Sequence, residues 1–159
     1  MKKEVCIILG SISDKAVMMK AFALLDKFGI GYDKQIISAH RALDYLCEYV
    51  ESRADRGVKV IIAAAGGAAA LPGVIAAKTV LPVIGVPVKS SHLNGIDSLL
   101  SVVQMPTGVP VATVAINGAA NAALLAVEIL ALSNPELARK LQIYKEEIKK
   151  ASLKSGEKL

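Results

Sequence analysis

The sequence predicts a three-layer α/β/α sandwich on a parallel five-stranded sheet. Three observations predict it: short apolar runs that end at glycine or polar loops, segments of helical periodicity between them, and a middle almost free of charge. Strand and helix in alternation are the signature of a parallel sheet covered on both faces, with right-handed crossovers. The 159 residues suit one ordinary domain with a single core. We read 1–159 as that domain, ending in a charged helix and frayed tail from about 135.

Glu4 to Leu9 is a compact apolar run closed by Gly10, as a buried parallel strand requires. Val17, Met18, Ala21, Leu24, Leu25 and Phe28 then recur at helical spacing until Gly29. Tyr32 to Ile37 reads as the second strand. Leu43, Leu46, Cys47, Val50 and Ala54 mark a second amphipathic helix closed near Gly57. Val58 to Ala63 is the third strand, followed by Gly66-Gly67 and an Ala-rich helix interrupted near Pro72-Gly73. Pro82 to Val86 and Val111 to Ala115 are the last two strands. Ala119 to Leu132 is a helix, and Asn134-Pro135 opens the final one. No G-x-G-x-x-G follows strand one and no Walker lysine appears, so a single phosphate monoester fits better than a pyrophosphate; the expected sandwich is flavodoxin-like.

Composition limits the function. The chain is 53% hydrophobic, with no Trp and two Phe, against a usual ~45–50%. From Gly57 to Val127 the only formal charges are Lys59, Lys78, Lys89 and Asp97. Pro and Gly interrupt both long uncharged runs, which argues against membrane spans and for burial in the core and against other subunits. Of the net charge of +5, the stretch from Glu136 carries +3, as a solvated helix does. Aromatic and arginine interleaving is missing, so nucleic acid is not an expected partner. The N-terminus lacks a signal-peptide pattern. Cys6 and Cys47 read as small buried hydrophobes, and neither Cys nor His recurs at metal-ligand spacing. The expectation is a cytoplasmic homo-oligomer without a metal site.

Ligands bind such sheets beyond the carboxyl ends of the strands, so three segments share an edge: GSISD (10–14), SAHR (38–41) and AAGGAA (64–69). In GSISD, backbone N–H groups and serine hydroxyls make a cradle for one phosphate; simple helix capping by Ser13 or Asp14 is the alternative. In SAHR, Arg41 offers a planar fork for phosphate or carboxylate. His40 is the side-chain type suited to proton transfer near neutrality, or else a structural histidine. His92, in KSSHLNG, reads as a surface residue. Gly66 and Gly67 admit close approach of main-chain amides to a ligand, or close helix packing. The candidate set is thus His40 for catalysis, and Ser11, Asp14, Ser38, Arg41 and Gly66 for binding.

These segments resemble the 5-(carboxyamino)imidazole ribonucleotide mutase family of de novo purine synthesis. GSISD is similar to its G-S-x-S-D loop, SAHR to its catalytic loop, and GGAAALPG to its glycine-rich segment; GIDSLLSVVQMPTGVPVATVAI (95–116) is the most specific stretch. The resemblance implies a homo-octamer without cofactor, acting on a small phosphoribosyl imidazole and moving its carboxylate from the exocyclic nitrogen to ring carbon 4. It implies that Ser11, Asp14 and Arg41 hold phosphate and ribose, with Asp14 accepting from ribose hydroxyls, and that His40 shuttles the proton. Three positions depart from the pattern. Ala70 stands where a second histidine is usual, Ala42-Leu43 replaces Thr-Pro, and Ala64 replaces Gly. A carboxylase using carbon dioxide directly, a non-catalytic phosphometabolite-binding paralogue and a flavin or signalling module are the competing readings.

Overall fold

Residues 2–156 of a computed structural model are described here. The elements run β1 (Lys3–Leu9), α1 (Lys15–Phe28), β2 (Gly31–Ile36), α2 (Leu43–Glu51), β3 (Val60–Gly66), α3 (Leu71–Ala76), β4 (Val83–Val88), α4 (Ile96–Val103), β5 (Ala112–Thr113), α5 (Ala119–Ala131) and α6 (Pro135–Gly156). The five strands pair in parallel in the order β2-β1-β3-β4-β5. That is the doubly wound arrangement, and its order reverses between β1 and β3.

Period-two alternation sorts the strand residues onto two cores. Val5, Ile7 and Leu9 of β1, with Val60, Ile62 and Ala64 of β3, pack on the face covered by α1, α5 and α6. Cys6, Ile8, Ile61, Ala63 and Ala65 pack on the opposite face beneath α2, α3 and α4. Because both faces are covered, β1 is apolar at every position from Val5 to Leu9, the pattern parallel sheets require. Each fully buried Ile or Val contributes about 1.5–3 kcal/mol of transfer free energy. Small residues set the layer spacing. Ala119, Ala122, Ala123 and Ala126 bring α5 close to the sheet. A Cβ on Gly85 would collide with Val102 of α4 and come within 2.9 Å of Val111.

The helix ends follow their residues. Gly29 takes φ 71°, and the Ile30 N–H bonds back to the Leu25 carbonyl at 2.9 Å, closing α1 as a glycine C-cap does. The expected break at Pro72-Gly73 is absent. Both residues lie in the first turn of α3, where proline costs no hydrogen bond, and Ala68 to Ala70 remain in the preceding loop. The fifth strand keeps only Ala112–Thr113 of the expected five residues. Helix α4 was not anticipated. The last helix continues to Gly156, and the frayed end expected beyond it falls outside the described residues.

Cys6 is fully buried and Cys47 half-buried, both as free thiols. Burial pushes the Cys6 thiol up to about 11, partly countered by its contact with the Tyr49 hydroxyl. Arg53, 4% exposed, bonds to Asp33 Oδ2 at 3.3 Å and donates Nε–H to the Tyr49 carbonyl at 2.9 Å. Its guanidinium also stacks 3.8 Å from the Tyr49 ring centroid, fastening α2 to β2 on the face away from α1. Among the described residues no helix is long and apolar enough to cross a membrane.

Candidate active site

Four loops leave the carboxyl ends of β2, β1, β3 and β4 and enclose a cavity of 620 Å³. All six candidate residues line it: Ser11, Asp14, Ser38, His40, Arg41 and Gly66.

The first loop folds on itself through its own polar atoms. The Ser11 N–H donates to Asp14 Oδ2 at 3.0 Å, and the Ser13 hydroxyl donates to the Ser11 hydroxyl oxygen at 3.0 Å. Capping and ligand binding are therefore compatible here, because the Ser11 hydroxyl hydrogen stays free to donate. Asp14 is 5% exposed. Burial raises its carboxyl above the ordinary value, and the Ser11 N–H and Ser13 hydroxyl pull it partway back. The site thus holds a desolvated acceptor before any ligand arrives.

The second loop begins in register with the sheet, with the Ile37 N–H on the Leu9 carbonyl at 2.9 Å. The Ser38 carbonyl then accepts from Ala42 N–H at 2.9 Å, and this turn carries His40 and Arg41 outward. Both are exposed. Among the described residues no carboxylate forms a salt bridge with Arg41, unlike the buried Arg53. Arg41 lines the cavity without an internal counter-ion among the described residues.

The third loop supplies backbone. Gly67 takes φ 64°, a conformation open mainly to glycine. Its N–H donates to Ser98 Oγ at 2.9 Å, and the Ser98 hydroxyl donates to the Val88 carbonyl at 2.7 Å. One buried side chain of α4 therefore ties the glycine loop to the end of β4. Ala70 lines the wall just before α3.

The fourth loop was not assigned to the site from sequence. Lys89, Ser90, Ser91, His92 and Asp97 all line the cavity. Ser90 donates to Asp97 Oδ1 at 2.7 Å, which lowers the Asp97 carboxyl; His92 adds a smaller electrostatic effect in the same direction. Asn94 (φ 53°) and Gly95 (φ 94°) turn the chain into α4. His92 is exposed, as expected, yet exposed into the cavity. The rule that placed the first three loops, strand ends on one edge, applies equally to β4 and would have found this one.

The arrangement offers an unpaired guanidinium, serine hydroxyls, glycine amides, a buried carboxylate and two imidazoles around one volume. It suits a small anion-bearing molecule and proton transfer. Comparison with known proteins places the chain in a family. The family described as AIR carboxylase matches residues 4–151. The N5-carboxyaminoimidazole ribonucleotide mutase of Thermotoga maritima is 57% identical over 98% of this chain and 91% of its own length. That of Bacillus subtilis is 55% identical over 100% and 99%. The crystal structure of Treponema denticola PurE2-S38D superposes with a TM-score of 0.90 at 29% identity, covering 100% of this chain and 99% of that one. On residue pattern, fold and likeness along nearly its whole length, the chain belongs to the AIR carboxylase family.

Proposed function

We propose that this chain is an N5-carboxyaminoimidazole ribonucleotide mutase, which moves a carboxylate from the exocyclic nitrogen to ring carbon 4. The observation that carries the reading is the convergence of His40, Arg41, Ser11 and Asp14 on one cavity, in a chain so close to proteins bearing that name. Arg41 and the Ser11 loop hold the phosphate. Asp14, which only accepts hydrogen bonds when ionised, takes the ribose hydroxyls. Ser38 and the Gly66 backbone complete the seat.

The proton balance closes on one residue. His40 protonates the exocyclic nitrogen as the carboxylate leaves as carbon dioxide. Ring carbon 4 then attacks the trapped carbon dioxide, and the proton on that carbon returns to His40. Nothing is oxidised or reduced, so the reading invokes no cofactor. Confinement by the glycine loop keeps carbon dioxide near the carbon it must reach, so proximity and exclusion of water carry the rate. The chain acts in this reading as one mutase domain within a cytoplasmic homo-octamer. The exposed apolar side chains Ile96, Leu100 and Val103 of α4 support association.

Two assays on one sample test the reading. One supplies the carboxyamino nucleotide without bicarbonate, and the other supplies aminoimidazole ribonucleotide with bicarbonate. Efficient turnover of only the first is the expected result. Efficient turnover of the second at low bicarbonate would move the chain to direct carboxylation, and turnover of neither would leave a binding protein.

A further inference from the structure

We infer that His92 is a second ligand-facing imidazole, donating an N–H to the migrating carboxylate from the wall opposite His40. The inference rests on the mutase reading and adds a residue which that reading does not use. Three observations carry it.

The first is position. His40 follows β2 and His92 follows β4, with β1 and β3 between them. At about 4.8 Å per strand spacing, their loops leave the sheet roughly 14 Å apart on the same edge. Both residues nevertheless line the same 620 Å³ cavity, at the two ends of one ligand-sized volume.

The second is support. The loop bearing His92 is anchored on both sides, by Ser90 on Asp97 at 2.7 Å and by Lys89 N–H on Asn117 Oδ1 at 2.9 Å. It is also joined to the glycine loop, because Ser98 bridges Gly67 and Val88. Among the described residues no hydrogen bond occupies the His92 ring, and a neutral imidazole always carries one N–H to give. A loop held this firmly, with its imidazole uncommitted, presents a donor rather than a wandering surface side chain.

The third is charge. The substrate carries anions at two ends, phosphate and carboxylate. Arg41 serves the β2 end of the cavity; at the β4 end, beside the glycine loop that confines the carbon dioxide, Lys89 and His92 stand with one carboxylate, Asp97, whose Oδ1 already accepts the Ser90 hydroxyl. Ala70, where the resemblance implies a histidine, presents only a methyl to this wall.

The test compares two ligands that differ only in the carboxylate. Dissociation constants of the 4-carboxylated nucleotide and of aminoimidazole ribonucleotide are measured by calorimetry for the full chain, His92→Ala and His92→Gln. The expected result for His92→Ala is about tenfold weaker binding of the carboxylated ligand, the value of one hydrogen bond to a charged group, with the other ligand changed less than about twofold. His92→Gln, which keeps an N–H donor, retains most of the difference. Equal weakening of both ligands would assign His92 to phosphate or ribose, and no weakening would leave it to solvent; either overturns the inference alone. A wild-type chain that binds neither nucleotide would overturn the mutase reading as well.

Discussion

Ser98 Oγ accepts the Gly67 N–H at 2.9 Å while its hydroxyl bonds the Val88 carbonyl at 2.7 Å, with Ser98 itself fully buried. Replacing it with alanine leaves both backbone groups without that partner, at a cost of about 1–3 kcal/mol. Ser98→Ala is expected to lower the urea midpoint accordingly and to reduce kcat/KM about tenfold by loosening the glycine loop. Lost stability with unchanged kcat/KM would show that the bridge holds the fold but does not place the loop.

His40 and Arg41 are adjacent on one turn but are assigned separable tasks. His40→Asn is expected to abolish turnover, by at least the ~10²–10⁴-fold that a proton-transfer residue supplies, with ligand affinity unchanged within about threefold. Arg41→Ala is expected to weaken the phosphorylated ligand by about tenfold or more, since a charge-assisted contact is lost. Calorimetry beside initial rates separates the two. Near-normal turnover by His40→Asn would remove it from the mechanism.

Asp14 is destabilising in its charged form, and the sign follows from its direction of shift. Its carboxyl is raised by burial above the ordinary 3.8. The folded state therefore holds the proton more tightly than the unfolded chain. That stabilisation is complete below 3.8 and is lost as pH rises through the folded value. Asp14→Asn, which keeps an oxygen for the Ser11 N–H, should resist urea better than wild type at pH 7, and the gap should close on acidification. The same change should weaken the ribose-bearing ligand about tenfold. A less stable Asp14→Asn protein at pH 7 would refute the assignment.

Asp33 has the opposite sign. Burial alone would raise its carboxyl, but Lys3, the Tyr49 hydroxyl and the Lys34 N–H hold it below the ordinary value. Its contribution is present above 3.8 and fades as pH falls through the folded value. Asp33→Asn also takes the carboxylate from the buried Arg53 and is expected to cost about 1–3 kcal/mol at pH 7. Urea titrations at pH 7 and pH 3 should show the wild-type advantage shrinking at the lower pH. An advantage that is the same at both would exclude ionised Asp33 as its source.

The elements legible in the sequence were a strand buried on both faces and a helix with one buried stripe. Val5 to Leu9 and the Val17 to Phe28 stripe carry unambiguous patterns, and both lie as expected. Helix α4 was illegible because Ile96, Leu100 and Val103 are exposed apolar residues on its outer side. With apolar residues on both faces, no helical stripe stands out from the uncharged run. Pro72 and Gly73 looked like a break because sequence does not say whether a proline stands in a first turn or an interior one. The candidate residues were legible because three strand ends dictate one edge; the same rule, extended to the expected strand Pro82 to Val86, would have brought His92 to that edge as well.

The register of β1 also bears on how the chain is made. Val5 pairs on one side with Tyr32 and on the other with Val60, so a strand apolar from Val5 to Leu9 needs a neighbour that leaves the ribosome later. Until β3 emerges, β1 can form only the two-stranded β1–β2 pairing, with one hydrogen-bonding edge bare, and pairings so distant in sequence close slowly. The nascent chain thus carries an unshielded adhesive segment until Val60–Gly66 has emerged. The demand this places on holding chaperones is set by the strand order and not by the chemistry at the other edge of the sheet.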